Sequence, residues 1–232
     1  MAAVGLSLAL WPIVIVHLAY TISVAEAHVS LCNPYWDGCT SISRAGRYGW
    51  ANHLFRAALL PYTVGLGFYW WLNQQWLRSL GSGGSRPMLL SGWLGVLFMI
   101  LYVTFLGTDG PTYQLMRRYG INVYFGATFA AQLLLIGRLR ALARTGLPLK
   151  PPWPRWLVPA LIVTAGSVLA MGLLYLAVDC GLPLDRDRMQ NAMEWSAALL
   201  MQLTMLLVVR GWHSSGLQLQ AGCSRPEERA DS

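Results

Sequence analysis

Charge is what this sequence has least of. Of 232 residues, 12% are Asp, Glu, Lys or Arg, against about 25% in a typical soluble domain. That leaves too little polar surface to cover a water-soluble globule. The chain is instead 55% hydrophobic with a mean hydropathy of +0.44. No HExxH, GxSxG or comparable motif is present, so no catalytic machinery is written in one short stretch. No CxxC or His pair accompanies the four cysteines, which disfavours a zinc site; no metal or other cofactor is expected. Internal repeats are absent, which lowers the case for a small transporter. The net charge of +7 comes without a basic face or an aromatic-basic platform, so nucleic acid is not an expected partner.

What remains is a membrane signature. Eleven Trp, ten Tyr and 23 Gly suit aromatic belts and close helix packing. Six tracts reach the roughly 20 mostly apolar residues that a spanning helix needs: about 4 to 25, 51 to 76, 88 to 107, 120 to 138, 156 to 178 and 190 to 210. The second is the least clean, with Asn52, His53, Arg56 and Pro61 near its start and Asn73, Gln74 and Gln75 near its end. The first has a competing reading, because Ala25-Glu26-Ala27 fits a signal-peptide cleavage site. No Lys or Arg precedes that run, which is long for a signal peptide and contains a Trp, a Pro and a His; this favours a retained first helix.

Lys and Arg in the connecting segments set the orientation. Ten fall on one side (Arg78, Arg86, Arg138, Arg140, Arg144, Lys150, Arg155, Arg210, Arg225, Arg229) and six on the other (Arg44, Arg47, Arg117, Arg118, Arg186, Arg188). The expected fold is thus all-α, a polytopic bundle of six transmembrane helices over residues 1–211 with both termini cytoplasmic. Residues 26–50 form an outer loop, and residues 212–232 a disordered cytoplasmic tail. Arg117 and Arg118 run against this orientation.

The outer loop contains "CNPYWDGCTSISRAGRYGW", residues 32 to 50. Pro and Asp-Gly between Cys32 and Cys39 are turn formers, so a disulfide can close a short loop in an oxidising compartment. Cys180 competes as partner for either cysteine, whereas Cys223 falls in the tail. Ionisable groups inside a bilayer are functional suspects. His17 is roughly 12 Å deep by helical rise. His53 and Arg56 lie near the outer start of span two, Asp109 and Asp179 at the outer ends of spans three and five, and Glu194 about one turn into span six. The candidates for acid-base chemistry are His17, His53, Asp109 and Glu194. Those for ligand binding are Asp37, Ser41, Ser43, Arg44, Asn52, Arg56, Asn122 and Asp179. Arg56 and Glu194 are the natural ion pair at their depth. Each has a plainer reading beside it: a packing histidine, a snorkelling arginine, a turn aspartate, helix-capping serines.

"TSISRAGRYGWANHLFRAAL", residues 40 to 59, resembles the segment after the first helix in the DRAM/FRAG/Sfk group of six-pass membrane proteins. That group includes the damage-regulated autophagy modulators and the GPI-anchor lipid-remodelling factor. Pro34, Ser41, Ile42, Ser43, Gly46 and Phe55 carry the resemblance, and "INVYFGATFAAQLLL", 121 to 135, looks like the group's fourth helix. The Pro-Glu or Pro-Gln pair of the group is replaced by "YGWAN", and its helix-four histidine by Asn122. The resemblance implies lipid handling at a membrane. The Arg-, Leu- and Trp-rich composition points to a bacterial inner membrane, where the substrate would be a lipid or lipid-linked molecule other than a GPI anchor. Three functions follow: a protein that binds or remodels a membrane lipid in an outward-facing polar pocket, an intramembrane hydrolase or acyltransferase, and a non-catalytic subunit for a membrane-protein partner or a small transporter. Whether the chain is an enzyme stays open at this level.

Overall fold

The structure, a computed structural model, describes residues 2–145, 154–179 and 185–217, the side chains of 2, 178 and 179 excepted. Every long apolar tract is helical. In chain order the helices are α1 (Ala2–Ala25), α2 (Ile42–Ala45), α3 (Gly49–Ser79), α4 (Arg86–Phe105), α5 (Pro111–Arg144), α6 (Leu157–Asp179) and α7 (Arg186–Ser214). Starts are written in the sequence. Ser85 accepts from the Met88 N–H to cap α4, and Asp185 accepts from the Arg188 N–H to cap α7, satisfying donors that a helix leaves orphaned. The segments expected at 51–76, 120–138 and 190–210 all run longer, because the polar turns that flank the apolar tracts continue as helix.

Five helices, α1, α4, α5, α6 and α7, are long and apolar enough to cross a membrane. Their outward faces carry exposed Leu10, Trp11, Val14, Leu94, Leu97, Val163 and Leu174. Apolar surface on this scale marks a membrane protein. With 31 residues, α3 is long enough but holds no uninterrupted run as apolar as theirs. Several of its polar groups face protein: Asn73, Gln74 and Thr63 are buried, as are Tyr62, Tyr69, Trp70 and Trp76. Burial in the bundle, not contact with lipid, explains its composition.

The six long helices form a ring in the order α1, α3, α4, α5, α6, α7 and back to α1. Glycines make the seams close. A Cβ on Gly92 of α4 would meet Trp70 of α3, and one on Gly95 would meet Thr128 of α5. Gly65 lies against Leu8 of α1. These small residues are therefore consumed within the bundle and are not spare surface for a partner helix. At the end of the bundle away from residues 26–48, polar bolts add to the packing. Trp212 donates to Asn73 Oδ1 at 3.2 Å, and Asn73 donates to the Tyr69 carbonyl at 3.0 Å.

One seam is incomplete. α5 and α6 pack at their connected ends through buried Leu139, Leu142, Leu157 and Leu161. Beyond Ala165 no described residue of α6 is buried, and neither is any residue of α5 before Gly120. The two helices splay apart toward the end that carries residues 26–48.

An amphipathic cleft under a docked loop

Residues 26–48 are ordered onto the top of the bundle. Cys32 and Cys39 are joined by a disulfide, and Asp37 accepts from the Asn33 N–H at 2.8 Å inside the loop it closes. Tyr20 of α1 pins this hairpin: its hydroxyl donates to the Cys32 carbonyl at 2.7 Å and accepts from the Cys32 N–H at 2.8 Å. Tyr35 donates its hydroxyl to His17 Nε2 at 3.0 Å, while His17 Nδ1 donates to the Ile13 carbonyl at 2.6 Å. Burial pushes the Tyr35 phenol up, so it stays an O–H donor.

The one-turn helix α2 follows, capped by Ser41, which accepts from the Arg44 N–H. One face of α7 holds it. Asn191 donates to the Gly38 carbonyl at 2.8 Å, and Trp195 donates to the buried Thr40 carbonyl at 2.9 Å. Between them, Glu194 lies against Ile42 and Ser43 at the start of α2. Positions 191, 194 and 195 share a helix face by their i, i+3, i+4 spacing. Gly38 is required here: its φ is +57°, and a side chain would run into the Arg188 backbone. On the other flank, Ser43 and Tyr102 share a hydrogen bond of 2.9 Å between their hydroxyls.

Where α5 and α6 splay, the loop roofs a cleft of about 1810 Å³. Drug-sized ligands occupy pockets of about 300–1,000 Å³. The lining is graded. Near the roof it is polar: Ser41, Ser43, Arg44 and Arg47 from the loop, Arg117, Arg118 and Asn122 from α5, and Arg188, Asn191 and Glu194 from α7. Farther down it is apolar: Phe125 and Phe129 of α5, Met201 of α7, and a wall of Leu169, Leu173 and Leu176 from α6. Phe129 lies eleven positions beyond Arg118, roughly 17 Å along the helix. Gln132 of α5 closes the floor by donating to the Met201 carbonyl at 3.0 Å.

Arg47 and Arg117 are neighbours within charge range of each other. Arg117 is held by its bond to the Thr108 carbonyl at 2.8 Å. Neither forms an ion pair among the described residues. Asp109 lies within charge range of Arg117, and Glu194 within charge range of Arg47, though no carboxylate is bonded to either guanidinium among the described residues.

The candidates separate into groups. Asp37, Ser41, Ser43, Arg44, Asn122 and Glu194 line the cleft. His17 does not; it borders a small inner cavity of about 60 Å³ with Tyr35, Trp195 and Gln202, and both of its ring nitrogens are engaged. Asn52 is a clamp, donating to the Gly46 and Leu106 carbonyls at 3.0 and 3.1 Å. His53 is exposed on α3 beside Trp50. Asp109 is exposed in the turn before α5. Asp179 ends α6, and its side chain is outside the described residues, as are Cys180 and the tail from 218 on. The expected Arg56–Glu194 pair does not form: Arg56 has no ion-pair partner among the described residues, and Glu194 faces α2 and Arg47 instead. Depth along a helix put these two at one level, but they point to different faces of the ring. No three His, Cys, Asp or Glu side chains converge among the described residues.

Arg117 and Arg118 enter the site although the sequence reading used them only for orientation. Their signal was present as an anomaly, a basic pair on the side where few are expected. The structure thus defines a helical membrane protein with an arginine-roofed, apolar-walled cleft. No protein-family model, curated protein or solved structure matches the chain.

Proposed function

We propose that this protein binds, and presents or remodels, a lipid or lipid-linked molecule with an anionic headgroup. The observation that carries the reading is the graded cleft: arginines without an ion-pair partner near the roof, then apolar wall that reaches roughly 17 Å beyond Arg118 along α5. A headgroup phosphate suits the first and an acyl or prenyl chain the second. The splay of α5 from α6 would open sideways to a bilayer, so a lipid could enter without leaving the membrane. In this reading α3 is the sixth span. Both termini are cytoplasmic, by the ten-to-six excess of Lys and Arg in the segments on that side. The docked loop is then on the outer face of the membrane, in keeping with a disulfide. A bacterial inner membrane and kinship with the DRAM/FRAG/Sfk group belong to the same proposal. The "SIS" element of that resemblance falls on α2, which roofs the cleft.

Native mass spectrometry of the full chain released from detergent tests it. Wild type should retain an anionic lipid, and Arg47→Ala with Arg117→Ala should cut retention by about 10-fold or more, the effect of losing hydrogen bonds to a charged group. A lipid-free wild type, or equal retention by the double variant, contradicts the reading.

A further inference from the structure

Six arginines fall in the connecting segments on the proposed outer side, where spanning proteins carry few. All six line this one cleft: Arg44, Arg47, Arg117, Arg118, Arg186 and Arg188. Charges that the orientation rule disfavours are thus collected around the space where the docked loop, α5 and α7 meet. Four carboxylates line the same space, Asp37, Asp185, Asp187 and Glu194, so positive charge is in excess by two.

The acids are not shared evenly among the arginines. At the start of α7, Asp185 and Asp187 alternate with Arg186 and Arg188, and Arg188 Nε is 3.3 Å from Asp185 Oδ2. Asp37 is turned into its own hairpin, where it accepts from the Asn33 N–H. Arg44 and Arg47 of the loop and Arg117 and Arg118 of α5 have no carboxylate bonded to them among the described residues. Asp109 is within charge range of Arg117 but does not line the cleft. Arg44 and Arg118 are exposed, and Arg47 and Arg117 are half-buried, so all four side chains have surface that an occupant can reach. Like charges held together repel. A headgroup with a single charge, seated on Arg47 and Arg117, would leave most of that repulsion in place.

We infer that the headgroup bound in this cleft carries two or more negative charges on phosphate, with Arg44 and Arg118 flanking the phosphate contact of Arg47 and Arg117. This rests on the cleft being a lipid site. A phosphodiester headgroup supplies one charge. A phosphomonoester supplies about 1.5 to 2 near neutral pH, and a diphosphate more. Either also offers more oxygens to guanidinium groups than a diester does.

The full chain in detergent would be offered phosphatidylglycerol, phosphatidic acid and diacylglycerol diphosphate with identical acyl chains, and retention read by native mass spectrometry. The inference expects phosphatidic acid, diacylglycerol diphosphate or both to exceed phosphatidylglycerol by about 10-fold or more, the effect of added hydrogen bonds to a charged group. Arg44→Ala with Arg118→Ala should remove that preference while phosphatidylglycerol is retained as by wild type, which also shows that the variant folds. A preference that survives in this variant overturns the role given to Arg44 and Arg118. Equal retention of all three lipids by wild type, or a preference for phosphatidylglycerol, overturns the inference and leaves the lipid site standing. Retention of none overturns both. The wild-type comparison needs no variant to fold.

Discussion

Trp195 of α7 donates its indole N–H to the backbone carbonyl of Thr40 at 2.9 Å, across 155 positions of sequence. Both residues are almost fully buried. The same indole packs edge-on against His17, Tyr20 and Tyr35. One side chain thus ties the roof of the cleft to α7 and to α1. Trp195→Phe keeps most of the ring but strands the Thr40 carbonyl, at about 1–3 kcal/mol. The expected result is a lower unfolding temperature in detergent and faster limited proteolysis between residues 28 and 41. Unchanged cleavage would show that the loop is held without this bond.

The disulfide bridges positions seven apart. A loop of that size stabilises by about 2.5 kcal/mol through chain entropy. Its reduction also reports which side of the membrane the loop is on. In a Cys180→Ser, Cys223→Ser background, treating intact cells with a membrane-impermeant reductant and then an impermeant maleimide should label Cys32 and Cys39. Labelling only after the membrane is permeabilised would reverse the proposed orientation.

Asn73 is fully buried in α3 and joins Trp212 of α7 to the Tyr69 carbonyl. Asn73→Leu leaves the indole N–H of Trp212 without its acceptor, at about 1–3 kcal/mol. It is far from the roof. The thermal midpoint should fall while lipid retention in the surviving folded fraction stays at the wild-type level.

Much of this architecture is legible in the sequence, because length and apolarity decide whether a tract becomes a helix in a membrane protein. The Cys32–Cys39 loop is legible for a similar reason: a short spacing with Pro34 and Asp37-Gly38 between leaves few other geometries. Helix facing is not legible in this way. Arg56 and Glu194 share a depth, yet their azimuths around the ring keep them apart, and depth counting carries no azimuth. His17 reads as a lone intramembrane base until Tyr35, eighteen positions away and in the loop, is seen bonded to it. The splay of α6 has no local mark, since Leu169, Leu173 and Leu176 look the same facing lipid or facing a cleft. Asp37, Ser41, Ser43, Arg44, Asn122 and Glu194 are legible as candidates and do line the cleft; Arg117 and Arg118 show only as a basic pair that disagrees with the orientation rule.

The central claim is that the space between α5 and α6 holds an amphiphile with its headgroup under the docked loop. A cryo-electron-microscopy map of the full chain in lipid nanodiscs tests it most directly. The account predicts elongated density along Phe125, Phe129 and Leu173 that ends in a headgroup beside Arg47 and Arg117. A map in which α6 closes onto α5 along its whole length, with no room between them, would contradict it.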